Sequence, residues 1–131
     1  MKFAAHYLFD GQKLIKNIII TTDSQNCISL EINDFIIEKS SMLFYNGVLI
    51  PKFSTKIFNY QELQNFIEIL LDMQIINNTL EKILSEFIFY LQPETLDFKL
   101  KNNVKTGFLL LENIDLQKLI INEKSILRNI N

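Results

Sequence analysis

Apolar residues are spaced in two different ways, which divides the chain into three parts. In residues 1–53, short runs of β-branched and aromatic residues alternate with turn residues, as is typical of strands. In residues 59–92 the apolar positions recur three and four apart, as on one face of a helix. Residues 106–131 return to short apolar runs. The order strands, two helices, strands predicts one α+β domain over residues 1–131.

Three turn signals interrupt the first part. Asp10-Gly11-Gln12 separates "FAAHYLF" from "KLIKNIIIT" and predicts a hairpin, because Gly accepts a positive φ. The polar run "TTDSQN" predicts a second turn before "CISLEI". Asn46-Gly47 inside "MLFYNGVLIP" predicts a third hairpin, since Asn-Gly is a strong signal for a tight turn.

The middle part predicts two neighbouring amphipathic helices joined at Asn77-Asn78. Asn59 and Glu62 have the spacing of a capping box, and Asn78 with Glu81 repeats it before the second helix. Pro93 is expected to stop that helix. The two apolar stripes are Leu63, Phe66, Ile67, Leu70, Leu71 and Met73 in the first helix, and Leu80, Ile83, Leu84, Phe87, Ile88 and Leu91 in the second.

The last part contains three runs that each predict a strand, namely "TGFLLLEN", "LQKLIIN" and "SILRNI". In the last of these, Ile126 and Arg128 are expected to share one face. If the first and last strands belong to one sheet system, they must meet across the helical insert.

Composition limits the partners and the location. Hydrophobic residues make up 48% of the 131 residues and charged residues 21%, which is typical of a globular domain. The formal net charge is -2 and Lys and Arg are scattered, so we expect neither nucleic acid nor membrane as a partner. Runs such as Ile18–Ile20 are far shorter than the ~20 residues that cross a bilayer. The first residues do not have the pattern of a signal peptide, and we expect the protein in the cytoplasm.

Side chains capable of chemistry are few. His6 is the only histidine, and it is expected to be a half-buried structural residue, because a metal site needs several converging donors. Cys27 lies in an apolar alternation and is expected to be buried. Dinucleotide, phosphate, zinc and nucleophile-elbow motifs are all absent from the sequence. The carboxylates of the helices are expected to be caps or solvated residues, so we predict no catalytic residue, no metal site and no cofactor.

Three segments, in this order, resemble the amidohydrolase superfamily, in its branch of cytosine-deaminase-like and chlorohydrolase-like metal-dependent hydrolases. "HYLFDGQKLIKNIIITTDSQNCISLEI" is similar to the N-terminal strands of that family, and "FYNGVLIPKF" to its G-x-L-[LIV]-P-G-F entry into the catalytic barrel. "LEKIL" with "TGFLLLENIDLQKLIINEKSILRNI" resembles the closing helix and terminal strands. The resemblance implies a small composite β-sandwich of N- and C-terminal strands, with two helices inserted and the barrel missing.

The same resemblance implies that the metal site is lost. In the family a His-x-His pair follows the Pro-Gly-Phe motif, and here Ile57 and Asn59 stand at those two positions. Lys52 stands where the glycine is expected. Ile cannot coordinate a metal, and hydrolysis of this kind needs a Lewis acid. An alternative alignment of residues 54–60 with the last barrel strand also finds no Asp, Glu or His.

Three hypotheses for function follow. In the first, the chain is a non-catalytic amidohydrolase-like composite domain acting through protein contacts. Without the barrel, Phe66, Leu70, Ile83 and Phe87 would need a cover, so the partner is a second copy or a barrel-bearing homologue. In the second, the chain is part of a metal-dependent amidohydrolase that hydrolyses C–N bonds of small molecules together with a partner chain. In the third, it is a degenerate remnant without a selected function.

Overall fold

A computed structural model describes residues 1–32, 42–52, 57–76, 78–91 and 99–130. It shows one seven-stranded sheet and two helices, which confirms the predicted α+β class. The strands are β1 Lys2–Phe9, β2 Leu14–Ile15, β3 Ile18–Thr22, β4 Ile28–Ile32, β5 Met42–Lys52, β6 Gly107–Glu112 and β7 Ile126–Asn129. The helices are α1 Tyr60–Ile75 and α2 Leu80–Leu91. No helix among these residues is long and apolar enough to cross a membrane.

The first and last strands lie in the same sheet. The strand order is β4-β3-β1-β5-β6-β7, and β2 pairs with β1. β5 and β6 pair antiparallel, with Val48 opposite Leu111, and this pairing joins the two strand-forming parts. β1 and β5 pair parallel. The two parts therefore meet across the helical insert.

The sheet curls until β4 reaches the residues that lead into β6. The amide of Ile28 donates to the Val104 carbonyl at 3.0 Å, and the amide of Asn103 donates to the Ile28 carbonyl at 2.9 Å. The amide of Thr106 donates to the Asn26 carbonyl at 3.2 Å. An inner core fills the curl, formed by Phe3, Ala5, Leu8, Ile18, Ile20, Ile28, Leu49, Leu100, Phe108 and Leu110.

Both helices pack on the outer face of the sheet. Every second residue of a strand points to the same face, so Val48 and Ile50 point to the helices while Leu49 points to the inner core. The helix stripes supply the other half of this outer core with Leu63, Ile67, Leu70, Leu80, Ile83, Leu84, Phe87 and Ile88. Full burial of each such side chain contributes about 1.5–3 kcal/mol. The predicted helices are confirmed, and their stripes face the chain's own sheet.

Two predicted turns are confirmed, and each is held by an aspartate. The Asp10 carboxylate accepts hydrogen bonds from the amides of Gln12 and Lys13, both at 2.8 Å, between the paired strands β1 and β2. The Asp23 carboxylate accepts from the amides of Gln25 at 2.8 Å and Cys27 at 3.0 Å, between β3 and β4. Both turns are local, which is why Gly11 and the polar run "TTDSQN" indicate them in the sequence.

The third predicted hairpin is wrong, because β5 runs straight through Asn46-Gly47. The register between β1 and β5 shifts at this point: Ala5 lies opposite Tyr45, but Tyr7 lies opposite Val48. Gly47 has a φ of +157°, and a Cβ there would collide with the backbone carbonyl of Leu111 on β6. Gly47 therefore marks a β-bulge and a close approach between β5 and β6. Glycine is favoured at such positions as well as in tight turns, which is why the sequence pattern suggested a hairpin.

Two further expectations need correction. "LQKLIIN" forms no strand; the amides of Asp115 and Ile120 each donate to the other's carbonyl, at 2.9 and 3.2 Å, and close a turn. α2 is capped by Thr79 instead of Asn78, since the amide of Lys82 donates to Thr79 Oγ1 at 3.3 Å. Asn78 instead donates to the Met73 carbonyl near the end of α1, at 3.2 Å. α2 ends at Leu91, and Pro93 lies outside the described residues.

Candidate functional site

Ile57 and Asn59, the two positions that the resemblance assigns to metal ligands, lie just before α1 and at its N-cap. The Ile57 residue is 74% exposed. Asn59 is the N-cap of α1: its Oδ1 accepts from the Glu62 amide at 2.8 Å, and Glu62 Oε1 accepts from the Asn59 amide at 3.4 Å. The predicted capping box is therefore confirmed, and it occupies the side-chain oxygen of Asn59. Within the described residues, no three His, Cys, Asp or Glu side chains are grouped to hold a metal ion.

His6 and Cys27 are both less buried than expected. His6 lies at the register shift between Ala5 and Tyr7, which interrupts the regular alternation, and the residue is exposed. Its ring packs edge-on against Phe44, with the ring centroids 5.2 Å apart. Cys27 is a free thiol of intermediate burial; it directly precedes β4 and forms an isolated antiparallel bridge with Lys105.

The four residues expected at an interface are turned towards the chain itself. Leu70, Ile83 and Phe87 are fully buried in the outer core. Phe66 is partly buried, and its ring stacks edge-on against Phe58 and Phe87 at centroid distances of 5.4 and 5.2 Å. The outer face of the sheet covers these stripes without a barrel. Any apolar surface that a partner could cover must therefore lie elsewhere.

Such a surface lies where α1 ends. Ile75 is 81% exposed, Ile76 is 73% exposed, and Ile120 on the facing turn is 42% exposed. We refer to these three residues as the isoleucine rim. Gln74 fixes the turn to the helix: its Nε2 donates to the Ile121 carbonyl at 2.7 Å, and its Oε1 accepts from the Ile121 amide at 2.6 Å.

Beside the rim is a cavity of about 320 Å³ between the end of α1, the start of α2 and the 115–120 turn. We call it the helix-end groove. Its apolar lining consists of Leu14, Leu80, Leu119 and Ile120. Its polar lining consists of Gln74, Asn78, Thr79, Glu81 and Lys118. The volume lies at the lower end of the range for ligand pockets, and the lining combines aliphatic side chains with polar and charged ones.

The groove depends on an unusual turn. The Asp115 carboxylate accepts from the amides of Gln117 and Lys118, both at 3.0 Å. Leu119 follows with a φ of +55°, a conformation that costs a residue with a Cβ about 1 kcal/mol or more. A glycine would avoid this cost, but the leucine supplies part of the apolar lining. The turn therefore combines backbone strain with an apolar side chain at the groove.

The groove also carries one charge of each sign. Glu81 Oε2 accepts a hydrogen bond from the Leu14 amide at 3.3 Å, and this bond ties α2 to β2. Both Glu81 and Lys118 are exposed. Across the part of the chain that the structure describes, neither side chain forms an ion pair. The apolar groove thus has two charged groups available for a partner.

A second unusual group is Lys52, which is only 3% exposed at the end of β5. Its Nζ donates to Asn129 Oδ1 at 2.8 Å, and Asn129 Nδ2 donates to the Phe58 carbonyl at 2.7 Å. Thr106 Oγ1 donates to the Lys52 carbonyl. Burial lowers the pKa of the Lys52 amine below 10.5, because desolvation penalises the charged form. No carboxylate of the described residues pairs with it.

The Lys52 amine is covered by the residues around it. Its hydrogen bonds connect β5, β7 and the residues before α1, which is a structural role. Sequence reasoning missed the burial of Lys52 and the isoleucine rim. One signal was available for each: Lys52 is a charge directly after the apolar run "GVLIP", and Ile75-Ile76 are apolar residues off the helical stripe.

Comparisons with protein-family models, with curated proteins and with solved structures found no match to this chain.

Proposed function

We propose that this chain is a non-catalytic domain that acts through protein–protein contact, with a homodimer as its assembly. The isoleucine rim beside the helix-end groove is the observation that carries this proposal. Exposed apolar residues are common singly, but a cluster of them beside an apolar cavity is typical of an interaction surface.

The proposal includes an amidohydrolase-like origin for the domain. A composite β-sandwich needs N- and C-terminal strands in one sheet system with the helices inserted between them, and the order of elements is compatible with this. In this interpretation, opposite walls of the curled sheet form the two layers around the inner core. Ile57 and Asn59 supply no metal-ligand pair, so the proposal assigns no hydrolytic step to this chain.

Sedimentation velocity of the purified chain tests this function. We expect a concentration-dependent shift from monomer to dimer. Mixing with a barrel-bearing amidohydrolase distinguishes the other form of the hypothesis, in which the chain co-sediments with the larger protein. A chain that stays monomeric at all concentrations and does not co-sediment would contradict a role in protein contact.

A further inference from the structure

We infer that the helix-end groove and the isoleucine rim form a twofold interface with a second copy of this chain. This inference rests on the proposed function and specifies its surface and its partner. In a twofold interface the same patch serves both copies, so a patch must contain both a projecting group and the cavity that receives it. The end of α1 has both features side by side.

The projecting group is the pair Ile75 and Ile76, the last residue of α1 and its C-cap. They follow Gln74, which lines the groove, and both are more than two-thirds exposed. The receiving cavity has leucines on three of its elements: Leu14 on β2, Leu80 on α2 and Leu119 on the turn. An isoleucine side chain of the second copy would therefore be surrounded by aliphatic groups.

The charges of the groove also favour a second copy. Glu81 and Lys118 line the same cavity, and neither pairs with another charged side chain of the described chain. A twofold axis can bring Glu81 of one copy to Lys118 of the other. The symmetry repeats this contact, so the dimer would contain two ion pairs. The patch therefore carries both of the opposite charges that a twofold contact would pair.

The open edge of the sheet is a weaker alternative. β7 is the last strand in the order, and no strand among the described residues pairs with its outer side. It is only four residues long and carries Arg128, which is 48% exposed in its side chain and paired to Glu112. Short length and an edge charge are features that prevent strand pairing between chains. We therefore place the interface at the groove.

Two charge reversals test the arrangement. E81K and K118E each put like charges opposite one another across the twofold axis, so each variant alone should dimerise at least about tenfold more weakly than the wild type. An equimolar mixture of the two variants restores opposite charges at both contacts. Sedimentation of the mixture should show heterodimers of near wild-type affinity. Variants that dimerise like the wild type, or a mixture no better than its components, would overturn the interface.

A matched pair of isoleucines provides the second test. Ile76 and Ile57 are 73% and 74% exposed and flank opposite ends of α1. I76D should abolish dimerisation, I57D should leave it intact, and both should keep the wild-type circular dichroism spectrum. Equal behaviour of the two variants would reject the groove while leaving a wild-type dimer, and hence the proposed function, in place. A wild type that never dimerises would reject both.

Discussion

At two positions of β5, the residue type is explained by nearby strands of the sheet. Gly47 faces the backbone of β6 and Lys52 is enclosed next to β7, although neither position has a local motif that explains it. In both cases the neighbour is more than 50 residues away in sequence. The consequences are specific enough to measure for each residue.

Replacing Gly47 with Ala should destabilise the fold by about 3 kcal/mol, because the new Cβ meets the Leu111 carbonyl and the backbone conformation favours glycine. Urea unfolding measures the change. The exposed neighbour Asn46 supplies the control, and N46A should change the free energy of unfolding by less than about 0.5 kcal/mol. Equal stabilities of G47A and N46A would show that the strands are not in close contact here.

Lys52 should make stability depend on pH in the alkaline range. Its folded-state pKa is lowered below the usual 10.5, so between the two values the unfolded chain binds more protons than the folded chain. Stability from this group therefore rises as the pH increases through that window. Lys52→Met should remove the rise. Urea unfolding between pH 7 and pH 10.5 measures it, with Lys2→Met as the control for losing one exposed positive charge. A wild-type slope in Lys52→Met would contradict the account.

The sequence predicts those elements that depend only on residues close to one another along the chain. The capping box of Asn59 and Glu62 and the aspartate turns at Asp10 and Asp23 involve residues two to four apart, and all three were correctly predicted. The helical stripes were also predicted, because their spacing depends only on the helix itself.

Elements whose role depends on distant contacts were not predictable. Asn46-Gly47 has the same residue types whether it turns a hairpin or forms a bulge, and only the pairing of β5 with β1 and β6 decides between them. The stripes reveal that Leu70 and Phe87 need a cover, but not that the chain's own sheet supplies it. The groove forms where β2, the junction of α1 with α2 and the 115–120 turn meet; these three regions are distant in sequence, so no local pattern describes it.

The contact between α1 and the 115–120 turn should depend on Gln74. Gln74→Ala removes both hydrogen bonds to Ile121, whose backbone groups are near a buried side chain, and should cost about 2 kcal/mol. Gln74→Glu keeps an acceptor for the Ile121 amide but places an oxygen opposite the Ile121 carbonyl, so it should also destabilise the fold. Thermal unfolding ranks the three proteins. If Gln74→Ala equals the wild type, the amide does not hold the turn.

At the scale of the whole molecule, the curled sheet and its two helices bury most of the large apolar side chains in the described ranges. The inner core fills the curl and the outer core lies under the helices. Eight large apolar residues of the described ranges remain exposed; among them, Ile120 lines the helix-end groove, and Ile75 and Ile76 directly follow Gln74, which also lines it. The described residues thus form a core without a partner and also carry a separate apolar surface, which is why we assign the function to contact.

Hydrogen–deuterium exchange of the native chain at low and high concentration tests the assignment of function to this surface most directly. The account predicts that amides of residues 75–76, 78–82 and 117–121 exchange more slowly at high concentration, while those of residues 57–62 are unchanged. Exchange at the groove that is independent of concentration, or protection that appears equally at residues 57–62, would contradict it.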